Sequence, residues 1–189
     1  MIALVPHAPR LPPMNHQSLW APWRMAYLRG LDERAGAERL AGEETPRNFL
    51  ADYWQHPARD REHHIVHRNK HGMILLNRYP YSNGHLLVAL GEPRPTLLDY
   101  APEQRAELWK LVDLAALLVR RTLNPQGLNI GVNEGRAAGA GLPEHLHVHL
   151  VPRWSGDVNF MAAIGGLRMI PDSLDAVHEA YARTLASLA

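Results

Sequence analysis

His145, His147 and His149 stand at alternate positions in the run His145-Leu146-His147-Val148-His149-Leu150-Val151. In a β-strand, successive side chains point to opposite faces. The three imidazoles then share one face, and Leu146, Val148 and Leu150 share the other. The aliphatic face can pack on a core while the histidines look into an open site. Neighbouring imidazoles are expected roughly 6.5–7 Å apart, twice the rise per residue, so one phosphate group can touch two of them. With 12 histidines in 189 residues, chance yields such a triplet roughly 0.05 times per chain, and the interleaved aliphatics lower that about tenfold or more. The pattern therefore outweighs its bland alternative, a solvated strand face.

Near neutral pH, histidine offers metal ligation, general acid–base work and nucleophilic attack. A metal requires two imidazoles to converge at Zn–N distances of about 2.0–2.1 Å. It also needs a third ligand, from His85 or from an acid such as Glu144 or Asp157. The third histidine of the row is then redundant. Attack on phosphorus gives each histidine a task. His147 attacks with one ring nitrogen, while its other nitrogen donates its proton to an acceptor in the main chain near His145. His149 holds a phosphate oxygen or shuttles a proton. No metal is required, because neutral imidazole is a usable nucleophile near its unperturbed pKa of ~6.5.

The loop before the triad, Glu134 to Glu144, carries Gly135, Gly139 and Gly141. Glycine lets backbone N–H groups turn toward an anion and lets phosphate come close. Such groups can also receive charge that develops in a transition state. The spacing fits neither the dinucleotide fingerprint nor the P-loop.

Five apolar stretches are expected as strands: His63–Val66, Met73–Leu76, His85–Leu90, Gly127–Asn133 and the triad run itself. The turn chemistry of Asn77–Gly84 joins the second and third as a hairpin and leaves His85 at the mouth of its strand. Pro102 opens a long helix. Its stripe is Leu108, Leu111, Val112, Ala115, Leu118, Val119 and Thr122, and Asn124-Pro125 stops it. A second helix is expected from Pro171 to Leu188, capped by Asp172 or Ser173. Arg47–Trp54 suggests a short helical turn on the core. Ser18–Leu28 suggests a short helix with Trp20 and Trp23, Leu31–Arg47 a surface connection, and Asn159–Met161 a short strand. Residues 1–17 are expected as a flexible N-terminal arm and 18–189 as a single domain, with no internal repeat.

The net charge of +1 gives no electrostatic case for a nucleic-acid or membrane partner. The 18 arginines and two lysines suit bidentate phosphate contacts, although genome composition produces the same bias. No apolar run approaches membrane-spanning length, and Met1–Pro13 lacks the pattern of a signal peptide. The absence of cysteine excludes disulfides, thiolate zinc sites and cysteine nucleophiles, and it fits a reducing compartment. A soluble, cytoplasmic protein is expected.

The triad run resembles the signature of the histidine triad (HIT) superfamily, His-φ-His-φ-His-φ-φ with φ apolar. The likeness extends to Leu19–Met25, Leu76–His85, Asn133–Gly139 and Val151–Asp157. In these stretches the chain is similar to the bacterial diadenosine-tetraphosphate phosphorylase-like branch. The resemblance implies an α+β, HIT-like fold: a five-stranded antiparallel sheet, one long helix and a C-terminal helix, assembled as a homodimer. It implies nucleotidyl transfer from a small-molecule nucleotide through a covalent nucleotidyl-histidine intermediate, with no cofactor. By motif position His147 is the nucleophile and His149 the α-phosphate partner. His145 orients the site, and His85 sits beside the triad. Asn77 falls where the family contacts ribose. Asn133 and Gly139 fall where the family contacts phosphates or steadies the nucleophile, and Gly141 of the same loop is a further nucleotide-binding candidate.

The chain also departs from that pattern. Many relatives carry a Cys-x-x-Cys pair where Arg47 and Leu50 stand, and a histidine near Pro95, which hold a structural zinc with a triad histidine. All three are missing here, so no metal is expected, and the packing of residues 43–56 is expected to rest on Phe49, Tyr53 and Trp54. Where some branches place glutamine or serine in the glycine loop, this chain reads Ala138-Gly139-Ala140-Gly141-Leu142-Pro143.

Overall fold

The computed structural model describes residues 48–157 and 170–188. Expectations for Ser18–Leu28, Leu31–Arg47 and Asn159–Met161 lie outside the described residues. Within them, five antiparallel strands make one sheet in the order β1-β2-β3-β5-β4. The strands are β1 Ile65–Arg68, β2 Gly72–Leu76, β3 Leu86–Leu90, β4 Gly127–Val132 and β5 His147–Arg153. Three α-helices accompany them: α1 Phe49–Gln55, α2 Pro102–Leu123 and α3 Leu174–Ala186. The α+β architecture expected from the sequence is the one observed.

The two sheet faces are covered differently. Ile74, Leu76, Leu86, Val88, Leu146, Val148 and Leu150 form one core with the α2 stripe (Leu108, Leu111, Val112, Ala115, Leu118, Val119) and with Val177 and Tyr181 of α3. Fully burying each such aliphatic side chain contributes about 1.5–3 kcal/mol. Pro102 starts α2 at a position whose N–H has no helical partner, and Asn124, in the left-handed region at φ 43°, ends it. On the other face, Met73, Leu75, Leu87 and Ala89 pack with Leu50, Ile65 and Leu142, flanked by Tyr53 and Trp54. Among the described residues this second core is the smaller of the two.

The strands of the central hairpin are buried on both faces, which explains why they read as unbroken apolar runs. The register pairs Leu75 with Leu87 and Leu87 with His149.

Several expected boundaries shift. The first strand begins at Ile65, because His63 and His64 belong to a turn in which His64 has φ 53°. The turn closes with Ile65 N–H donating to Asp60 O at 2.8 Å. The third strand begins at Leu86, one residue after His85, and the fourth ends at Val132. The C-terminal helix begins at Leu174, with Ser173 as the cap, its hydroxyl accepting from Ala176 N. In the described part of the 43–56 region, residues 48–56, Tyr53 and Trp54 pack on the smaller core as expected, but the fully buried residue is Leu50, and Phe49 is 37% exposed. No described helix is long and apolar enough to cross a membrane.

Candidate active site

The largest correction concerns the triad itself. His145 is not part of a strand, since β5 begins at His147. The alternation of faces nevertheless runs through Leu146, which joins Val148 and Leu150 in the larger core. The His147 and His149 rings lie 4.9 Å apart, closer than the 6.5–7 Å expected from backbone rise, because the side chains lean together.

Ring protonation follows from the partners. A carbonyl oxygen only accepts. His147 Nδ1 lies 2.9 Å from the His145 carbonyl oxygen, so Nδ1 carries the proton and Nε2 keeps its lone pair. A backbone N–H only donates. Tyr81 N donates to His85 Nδ1 at 3.1 Å, and Asn77 Nδ2 approaches the same atom at 3.3 Å. The His85 proton therefore sits on Nε2 and is donated to His149 Nδ1 at 3.0 Å. That leaves His149 with its proton on Nε2. Two adjacent rings thus present opposite faculties, an acceptor on His147 and a donor on His149. Neither Nε2 has a partner among the described residues.

Burial holds the His147 pKa below the ordinary histidine value, partly offset by its bond to the His145 carbonyl. Burial, and then the neighbouring His147, push His149 down to about 4. Both rings are neutral at physiological pH, as these proton positions require.

His147, His149, Asn77 and Gly141 all line one open cavity of about 810 Å³. Its remaining wall includes Phe49, Tyr53, His63, Arg78, Tyr79 and Tyr81. His85 and His145 are fully buried and stand behind the lining; they reach the cavity only through His149 and His147. Asn133 and Gly139 lie outside the lining. They adjoin each other in the loop, where Gly139 adopts φ 88°. The Asn77 amide is engaged within its own turn, accepting from Tyr79 N at 2.9 Å. Two further rings border the site that residue spacing does not single out: Tyr81, whose ring lies 5.9 Å from His149 at 18°, and Tyr53, expected only as a packing residue, which stacks on His63 at 3.8 Å. Tyr81 was hidden in turn chemistry and Tyr53 among packing aromatics.

The zinc centre of the family resemblance does not fit these residues. Leu50 and Pro95 offer no ligand atom, and Leu50 fills the smaller core. The one N–H of the neutral, buried His145 ring, on Nε2, donates to Leu90 O at 2.8 Å.

The five-stranded antiparallel sheet thus carries an acceptor and a donor histidine side by side on the strand that follows the glycine loop. A model of the HIT domain matches residues 58–156, and the chain belongs to the HIT family. An "AP-4-A phosphorylase" of Mycobacterium tuberculosis is 37% identical over 158 residues, covering 84% of this chain and 78% of that protein. A "Bis(5'-nucleosyl)-tetraphosphatase [asymmetrical]" of Schizosaccharomyces pombe is 30% identical over 93 residues, 49% of this chain and 50% of that one. Among solved structures, a hypothetical histidine triad nucleotide-binding protein from Sulfolobus tokodaii superposes with a TM-score of 0.60 at 27% identity, covering 72% of this chain and 93% of that one. A Zn-bound histidine triad family protein from Mycobacterium smegmatis gives 0.59 at 27% identity, covering 72% and 94%.

Proposed function

We propose that the protein is a nucleotidyl hydrolase or transferase acting on dinucleoside polyphosphates or related adenylyl compounds, most specifically a diadenosine tetraphosphate phosphorylase. One observation carries this: the lone pair on His147 Nε2 stands beside the N–H of His149 Nε2 in a shared cavity. A nucleophile next to a donor is what in-line displacement at phosphorus needs. Likeness to the M. tuberculosis phosphorylase selects the substrate class.

In the first step His147 Nε2 forms a bond to the α-phosphorus as the bond from that phosphorus to the bridging oxygen breaks. The leaving nucleotide departs as ATP. His149 Nε2–H donates to a phosphoryl oxygen, and His85 keeps His149 in that tautomer. His145 orients His147. Gly141, with Asn133 and Gly139 in the loop, offers backbone room for phosphate, and Asn77 borders the nucleoside. In the second step inorganic phosphate attacks phosphorus and displaces His147, giving ADP. If water attacks instead, the product is AMP. A homodimer is part of the same reading, supported by the family resemblance and by the open edge strand β4, where Ile130 is 46% exposed. So is a cytoplasmic setting, supported by a composition suited to a reducing compartment.

The test is a panel of dinucleoside polyphosphates with and without inorganic phosphate. ADP formed only when phosphate is present selects the phosphorylase. AMP and ATP irrespective of phosphate select a hydrolase. Tight nucleotide binding without turnover, and without label trapped on His147 at low pH, overturns the enzymatic reading.

A further inference from the structure

Most of the charge that faces the cavity is already answered, and one charge is not. Arg59 is gripped by Glu62, its Nε and Nη2 donating to the two carboxylate oxygens at 2.9 and 2.5 Å. His64 Nε2 lies 3.0 Å from an Asp175 carboxylate oxygen. Burial favours the neutral form of His63, His147 and His149. Arg78 lines the same cavity, is exposed, and has no hydrogen-bond or ion-pair partner among the described residues. It is the one lining cation among them that no carboxylate holds.

The turn that presents Arg78 is fixed on both sides of it. Asn77 Oδ1 accepts from Tyr79 N at 2.9 Å, closing a turn around Arg78. Two residues on, Tyr81 N donates to His85 Nδ1 at 3.1 Å, and His85 Nε2 donates to His149 Nδ1 at 3.0 Å. The backbone from which the guanidinium extends is thus tied to the ring that holds the α-phosphate in the reading above.

A dinucleoside polyphosphate brings several negative charges into this cavity. Neutral imidazoles and backbone N–H groups meet them only with dipoles, and the loop Ala138-Gly139-Ala140-Gly141-Leu142-Pro143 adds no polar side chain. When the bond from the α-phosphorus to the bridging oxygen breaks, the electron pair stays on that oxygen, so charge grows on the departing chain. A cation held in place beside it stabilises that change, and the planar guanidinium matches pairs of phosphate oxygens. We propose that Arg78 is a specificity-determining residue that binds the leaving polyphosphate chain, beyond the phosphorus that His147 attacks. The proposal rests on the reading above that His147 is the attacking group. It adds that Arg78 selects adenylyl compounds whose leaving group is a polyphosphate.

Two substrates separate the halves of the site. Diadenosine tetraphosphate releases a polyphosphate, whereas adenosine 5'-phosphoramidate shares the adenylyl half and releases only ammonia. For Arg78→Gln, kcat/KM on the tetraphosphate is expected to fall about 30-fold, and on the phosphoramidate by no more than about twofold. Arg78→Lys keeps the charge without the fork and is expected within about fivefold of the parent on the tetraphosphate. Melting temperatures should match throughout, since no described residue leans on this side chain.

A binding pair gives a readout free of turnover. Calorimetry is run with inorganic tripolyphosphate, which mimics the leaving chain, and with adenosine monophosphate, which mimics the other half. Arg78→Gln is expected to weaken tripolyphosphate about tenfold or more and to leave the monophosphate within about twofold. Where either substrate is not consumed, this pair decides alone: the selective loss upholds Arg78 as a polyphosphate site even if the function reading falls. A parent that does not bind tripolyphosphate, a variant that binds it as the parent does, or equal losses on the two substrates or the two ligands overturns the proposal. Equal losses would place Arg78 on the adenylyl half instead.

Discussion

The two faces of β5 carry alternate residues of one seven-residue strand, yet they meet very different surroundings. Val148 and Leu150 are fully buried against the core built on the 22-residue α2, while His147 and His149 face a cavity roofed only in part by the seven-residue α1 and Leu142. The difference teaches how a fold can bear a desolvated histidine pair. Holding two imidazoles in partial burial makes their charged forms costly, and the smaller core alone has few apolar residues to offset it. The larger core on the opposite face, gripping the same strand, fixes the backbone from which both rings project. Rigidity on one side is what makes preorganisation possible on the other.

If that division holds, changes on the open face remove chemistry and leave the fold, and changes on the closed face do the reverse. The largest effect expected is for His147→Ala. Turnover should fall by at least ~10³, about 4 kcal/mol of transition-state stabilisation, with a melting temperature little altered. Single-turnover kinetics beside a thermal melt checks both halves. A variant within tenfold of the parent would remove His147 from the chemistry.

The mirror experiment is Leu118→Ala, at a fully buried position in the α2 stripe. Loss of the side chain and the cavity it leaves should cost about 3 kcal/mol of stability, read from urea unfolding, while kcat per folded molecule stays within about twofold. A kcat that collapses with Leu118 would mean that the faces are coupled more tightly than the geometry implies.

Much of this division is legible in the residues themselves. The alternation of histidine and aliphatic residues assigns the two faces, and the α2 stripe from Leu108 to Thr122 names the element that covers one of them. The hairpin is announced by its apolar runs and by the turn between Asn77 and Gly84. What the residues conceal is local and depends on contacts from afar. His145 has the spacing of a strand residue, but its ring N–H is claimed by Leu90 O, before the ladder begins. His85 looks like a surface histidine at a strand mouth, and only the fold shows it buried with Tyr81 N on one nitrogen and His149 on the other. The 4.9 Å ring separation is set by side-chain tilt, which backbone spacing does not encode. The cap that Asn48 gives α1, its Oδ1 accepting from Ala51 N, is likewise seen only in the fold.

A third test moves both faces together. His149 has its folded-state pKa depressed to about 4, by burial first and by His147 second, against ~6.5 in the unfolded chain. The unfolded state then binds more protons between those values. Stability is at its full value above pH ~6.5 and declines as pH falls toward about 4. After allowing for solvent that reaches the ring through the open cavity, the loss attributable to His149 is about 2 kcal/mol. His147, also depressed, adds in the same direction. The acid limb of kcat should likewise fall below the ordinary histidine value, because the His147 lone pair survives to lower pH. Urea unfolding from pH 7 to 4.5 on the parent and on His149→Phe checks the first point: the variant's pH slope should be visibly shallower. An equal slope would place the proton uptake on other groups.

The smallest effect tests where the closed face ends. Helix α3 contributes Val177 and Tyr181 to the larger core, and Leu174 at its start lines the cavity. It therefore borders both regions. Its polar ties to the turn before β1 are Arg61–Glu179 at 3.1 Å and His64–Asp175 at 3.0 Å. Arg61 is 81% exposed and Glu179 50%, so water competes for both charges and ordering two long side chains offsets what attraction remains. Glu179→Gln is expected to change stability by no more than about 0.5 kcal/mol and kcat not at all. What secures α3 is then the burial of Tyr181, whose hydroxyl donates to Gly84 O at 2.8 Å, rather than its charges. A measured loss above about 1 kcal/mol, or a shift in KM, would show that the rim of the cavity is held in place electrostatically, and the boundary between the two faces would have to be redrawn through α3.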